Sequence, residues 1–157
     1  MIGRDDLIEY VARVHERTRD AISAIPDSLL DWRQREGEFT IAELGVHIAN
    51  ARTWNAELVT GDSTARYPGH DASSYGDTAA LLELAETSSA RTLALIQSAD
   101  LDGMIPSSMG EIEAWRRVIG GLIEHEVHHR SQLCALLSQN DVPPPALYGL
   151  FEEQLPR

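Results

Sequence analysis

Apolar positions recur every three or four residues through four long segments, the pattern of helices that each bury one face. From Arg4 to Ala24 the stripe is Leu7, Val11, Val14, Thr18, Ala21 and Ile25, and Pro26 ends it. A short turn over Asp27 to Trp32 follows. The second helix opens at Thr40, three residues before Glu43, so hydroxyl and carboxylate can form a capping box. It runs to about Thr60, with Ile41, Leu44, Ile48, Ala51, Trp54 and Leu58 along one side. The third spans Thr78 to Ser98, with Leu81, Leu84, Ala85, Ser88, Leu95 and Ile96 inward.

The fourth helix, the longest, spans Ile112 to Gln139. Asn140 and Asp141 close it, Pro143, Pro144 and Pro145 forbid its continuation, and a short last helix is expected over Ala146 to Gln154. The stretch Leu101 to Gly110 reads as a loop with a small turn or hairpin. The Gly, Pro, Ser and Asp rich loop from Gly61 to Gly76 is long for a compact domain, which marks it as mobile or functional. Four amphipathic helices with no alternating strand pattern predict an all-α four-helix bundle, a single domain over residues 1–157.

Composition narrows the function more than the fold. A chain of 157 residues can bury a core without staples, so a bound metal would serve chemistry rather than folding. Cys134 is the only cysteine, which excludes a disulfide framework and any site of several thiolates. All 13 basic residues are arginine, against 25 acids, for a net charge of −12. That balance opposes nucleic acid and anionic membranes, since binding there draws on clustered positive charge. No apolar run approaches the roughly 20 residues of a membrane span, and acids occupy the first ten residues where a signal peptide would be apolar, so a cytoplasmic location is expected.

The chemistry lies in the six histidines, three of which fall within five residues. On a helix, positions i and i+4 lie one above the other, so His125 and His129 can direct ring nitrogens to one point. Stepping the fourth helix at about 100° per residue from Trp115 puts Trp115, Val118, Ile119, Leu122, Leu133, Leu136 and Leu137 in one sector. His129 falls inside that sector and His125 at its edge, while His128 lies outside and is a surface residue. The second helix turns His47 inward beside Leu44, Ala51 and Trp54. Each buried imidazole needs a partner, and one divalent ion satisfies all three, so His47, His125 and His129 are the expected metal ligands. Three neutral nitrogens leave a position open, as catalytic sites do, and suit zinc, nickel, copper, cobalt or iron rather than calcium. His15 and His70 have no partner by spacing and read as ordinary structural residues.

The run from His125 to Leu133, the downstream Val142-Pro143-Pro144 to Tyr148-Gly149, and Thr40 to Ile48 together resemble the DinB/YfiT family over essentially the whole chain. The resemblance implies a four-helix bundle, often a homodimer, binding a divalent metal through one histidine of the second helix and two of the last. Those positions are His47, His125 and His129 here. Ser131 and Asn140-Asp141 stand where members commonly have glycine. Relatives include transferases and isomerases dependent on a low-molecular-weight thiol, mycothiol or bacillithiol, alongside DNA-damage-inducible proteins and metal-dependent hydrolases of unknown small-molecule substrate. The implied function is therefore a zinc- or nickel-dependent hydrolase or thiol S-transferase, with a non-catalytic metal-binding or stress-response protein as the alternative. The Gly61 to Gly76 loop, with Arg66 and Tyr67, is the place to look for a thiol pocket.

His125-Glu126-Val127-His128-His129 also fits the H-E-x-x-H signature of zinc peptidases, with Glu152 or Glu153 as a third ligand. The chain offers no sheet edge along which to lay a peptide, which argues against that activity. Glu126 still falls in the apolar sector near the paired histidines. A carboxylate there is either paired or raised in pKa, so Glu126 is a candidate catalytic base or a partner to the ligands. Cys134 falls off the inward sector and reads as a packing residue.

Overall fold

A computed structural model describes residues 3–108, 110–149 and 154. Helix α1 (Arg4–Ser23) starts where Asp6 accepts the Gly3 N–H, and buries Val11, Val14, His15, Thr18, Ala21 and Ile22. A 3-10 turn over Asp27–Leu29 leads to α2 (Ile41–Val59). The capping box is formed: Thr40 Oγ1 accepts from Glu43 N–H at 3.0 Å and Glu43 accepts from Thr40 N–H at 2.7 Å. Asp77 caps α3 (Thr78–Ser98) by accepting the Ala80 N–H.

The last long segment departs from a plain helix in two places. The small hairpin expected within Leu101 to Gly110 forms, β1 (Met104–Ser107) antiparallel to β2 (Gly110–Glu113) with Ile105 opposite Ile112, and its second strand takes residues expected to open the fourth helix. Ile112, the expected start of the fourth helix, instead lies across from the buried Ile105 and packs against its cluster. Helix α4 (Ala114–Arg117) then passes into a π-helical stretch, Val118–Glu124, before α5 (His125–Gln139). The wider turns of that stretch break the 100° step. The outcome is that Trp115, assigned to the core by that step, is 37% exposed while Val118, Leu122, Leu133 and Leu137 are buried.

At the far end Asp141 adopts φ 58° and the Val142 N–H donates to the Leu137 carbonyl, closing α5 as a glycine would. Leu147 to Gly149 form a turn rather than the start of a helix, and residues 150–153 of the expected last helix lie outside the described residues.

The interior has two apolar clusters. One gathers Ala21, Ile22, Ile41, Leu44, Leu81, Leu133 and Leu137, the other Val11, Val14, Ala56, Val59, Ile96, Val118 and Leu122. Between them every long helix contributes buried polar residues: His15 and Thr18 from α1, Arg52 and Asn55 from α2, Ser88 and Thr92 from α3, Glu126 and Arg130 from α5. Arg52 grips Glu126 with two bonds, Nε to Oε2 at 2.9 Å and Nη2 to Oε1 at 2.7 Å, and its Nη1 donates to the Ala85 carbonyl and Ser88 Oγ. Arg130 donates to the Val14 carbonyl. A buried ion pair with its remaining donors satisfied in this way holds its place without a large net gain in stability. No helix among the described residues is long and apolar enough to cross a membrane.

Candidate metal centre

His47 projects from α2, and His125 and His129 from the first turns of α5, where the i, i+4 spacing brings their ring centroids to 4.5 Å in an edge-on arrangement. One ring nitrogen from each of the three lies within 4.8 Å of the others. His47 Nε2 and His129 Nε2 are 3.1 Å apart. Two nitrogens bound tetrahedrally to one ion at about 2 Å would stand roughly 3.3 Å apart, so the spacing suits a shared cation as it does an N–H···N hydrogen bond.

The far side of two rings is held by the chain. His129 Nδ1 lies 2.7 Å from Gln132 Oε1, an acceptor, so this nitrogen carries the proton and Nε2 presents its lone pair. His47 Nδ1 lies 2.7 Å from the Tyr67 hydroxyl, and Phe39 stacks on the same ring with centroids 5.0 Å apart and planes 23° from parallel. Burial, reinforced by the neighbouring histidines, lowers His47 and His125 to about 4, and burial also lowers His129. All three are neutral at pH 7, the state in which imidazole ligates. When the Tyr67 hydroxyl accepts from His47 Nδ1–H, two bare nitrogens face each other and a cation between them resolves that repulsion; when it donates, His47 Nε2–H can donate to His129 Nε2 instead. The donor set therefore fits a divalent metal of the nitrogen-preferring kind.

Tyr67 comes from the loop between α2 and α3, fastened to α2 where Asn50 Nδ2 donates to the Gly69 carbonyl. Arg66 of the same loop turns back on it, donating to the carbonyls of Ser63, Thr64 and Ala65. His70 reaches the histidine group from this loop as well, its ring edge-on to Phe39 at 4.7 Å and 6.4 Å from His47. Phe39, His70 and Gln132 also line an open cleft of about 690 Å³ with Arg33, Glu43 and Leu136. Three of the site's supports were invisible to spacing. Tyr67, His70 and Phe39 belong to loops whose path no periodicity fixes, whereas Gln132, three residues past His129, sat in reach of the same helical rule.

The remaining candidates fall into place around this group. Glu126 is 2% exposed and both its oxygens are held by Arg52, which keeps its carboxyl ionised despite the burial that would raise it. His15, read as an isolated residue, is buried against that pair, with Nδ1 on Ser89 Oγ at 2.8 Å and Nε2 3.6 Å from Glu126. His128 is exposed, its ring 4.9 Å from His129. Cys134 is half-buried against the Leu133 and Leu137 cluster. Glu152 and Glu153 lie outside the described residues.

The sequence profile described as the DinB superfamily matches residues 10–133. No curated protein matches. The fold is similar to the crystal structure of a DinB-like protein, YjoA, from Bacillus subtilis, with a TM-score of 0.74 and 17% identity over 90% of this chain and 96% of that one. It is also similar to a DinB-like protein from Bacillus cereus, with a TM-score of 0.71 and 18% identity over 90% of this chain and 95% of the other.

Proposed function

The chain belongs to the DinB superfamily, and from that premise we propose that it is a metal-dependent enzyme acting on a small molecule, a hydrolase or thiol S-transferase whose cation is held by His47, His125 and His129. The observation that carries this reading is the convergence of three neutral imidazoles, two of them (His47 and His129) with the outer nitrogen already engaged, beside an open cleft. A divalent cation, zinc or nickel, supplies Lewis acidity there, the capacity to acidify a water or a thiol and to polarise a substrate oxygen.

The protein's own groups then have separable tasks. Gln132 fixes the tautomer and tilt of His129, and Tyr67 holds the tilt of His47. Partial burial raises the Tyr67 hydroxyl above its ordinary range, so it stays protonated at neutral pH and can donate as well as accept. Phe39 shields the face of His47 from water. Glu126, with both oxygens on Arg52, serves as a positioning residue that ties the first turn of α5 to α2 rather than as a base.

Metal analysis of the purified chain tests the core of this. About one zinc or nickel per chain is expected, with His47→Ala lowering affinity at least tenfold. Occupancy below about a tenth, not raised by added zinc or nickel, would remove the site. Turnover of ester, amide or thiol-plus-electrophile substrates that chelation abolishes and metal restores would establish the enzyme; none across such a screen would leave a binding protein.

A further inference from the structure

Every arginine among the described residues except one is engaged by a carboxylate or a carbonyl. The exception is Arg117, at the end of α4, which makes neither a hydrogen bond nor an ion pair. Its guanidinium stacks 5.5 Å above the Trp54 ring, and its Nε is buried with no partner. In a chain of 25 acids, a half-buried cation left without one is costly, because partial desolvation weakens its hydration and nothing replaces it. The acid that lines the same cleft is already engaged: Asp62 accepts from the Thr64 N–H at 2.9 Å and the Thr64 hydroxyl at 2.6 Å.

Arg117 and Trp54 form part of a cleft of about 380 Å³ with Leu58, Asp62, Ser63 and Ser108. Trp54 follows His47 by seven residues on α2, two turns along the same face and about 10 Å along the axis. Tyr67 connects the two, its hydroxyl on His47 and its ring 5.9 Å from that of Trp54. A guanidinium with its Nη groups unpartnered presents a planar fork that matches a carboxylate.

We propose that the Trp54–Arg117 cleft is an anion subsite that binds the carboxylate of an extended small molecule whose other end reaches the three histidines past Tyr67. The subsite itself needs no metal; its place in the reaction rests on the metal-centre reading above. The ligand class is thus an acid with some 10 Å between its carboxylate and its reacting group. The Trp54 ring covers the apolar part between, and Leu58 lines the cleft beyond it.

The test uses 6-mercaptohexanoate and its uncharged analogue 6-mercaptohexanol on the zinc-loaded chain, with affinities from calorimetry. The acid should bind about tenfold more tightly, the effect of one charge-assisted hydrogen bond. Arg117→Gln should bring the ratio to about one, and Arg117→Lys, which keeps the charge and loses the fork, should retain part of it. Equal affinities in the wild-type chain, or a ratio that survives Arg117→Gln, would overturn the subsite. Hexanoate separates this from the metal reading. If neither thiol binds but hexanoate shifts the Trp54 indole N–H resonance in the wild type and not in Arg117→Gln, the subsite stands and the metal reading falls. If hexanoate leaves that resonance unmoved at saturating concentration, the subsite falls whatever the metal content.

Discussion

Removing the Glu126 carboxylate leaves Arg52 as a buried cation with no counter-charge, and such a break costs about 3–5 kcal/mol. Glu126→Leu should lose that much in urea denaturation, and the double variant Arg52→Met/Glu126→Leu should recover a large part of it, because an apolar pair desolvates no ion. His15 adds a pH dependence of its own. Burial lowers its folded-state value to about 3 against 6.5 unfolded. The unfolded chain therefore takes up the proton first, so stability is full above about 6.5 and falls with acid down to about 3. Glu126, lowered when folded, acts in the same direction. Between pH 7.5 and 5 the His15 contribution is about 2 kcal/mol, and His15→Gln should flatten the pH profile of the unfolding free energy by that amount. At this scale the sequence disclosed His125 and His129, because i, i+4 geometry is local, and His47, because the α2 stripe is regular. It concealed His15, whose partners Ser89 and Glu126 lie on other helices.

Helix α2 and α3 ended within a residue of where their caps and glycines put them, since Thr40, Glu43 and the Thr60-Gly61 pair act over one turn. The last long segment was not legible to the same degree. The glycines, proline and serines of Leu101 to Gly110 marked a turn or hairpin, but nothing in the apolar spacing beyond it separates a strand over Gly110–Glu113 or a π-helical Val118–Glu124 from a continuous helix. The π-helical stretch leaves its own signature at Gly121, where a Cβ would stand 2.4 Å from Asn55 Oδ1. Gly121→Ala should cost about 1–3 kcal/mol by overpacking, and Asn55→Ala should relieve that clash in the double variant, as a double-mutant cycle in thermal unfolding would show. At the other end Asp141 holds a left-handed conformation at the negative pole of α5. Asp141→Gly removes both penalties and should stabilise by about 1 kcal/mol, a rise of roughly 2–4 °C in melting temperature.

The three converging histidines are each only half-buried and lie outside the two apolar clusters. The fold should therefore stand without the ion. Chelated protein is expected to keep its helical circular dichroism at 25 °C while its melting temperature falls with free metal by mass action; loss of helix on chelation would show the cation to be a structural staple. The belt of polar groups between the clusters has one more effect, on alignment. Arg52 lies five residues past His47 on α2, and Glu126 one past His125 on α5. Sliding either rod by a single pitch, about 5.4 Å, would tear the guanidinium from both oxygens and press each charge against aliphatic carbon. Slippage is thereby forbidden long before the imidazoles separate, so their mutual spacing inherits its tolerance from a clasp to which none of them is bonded.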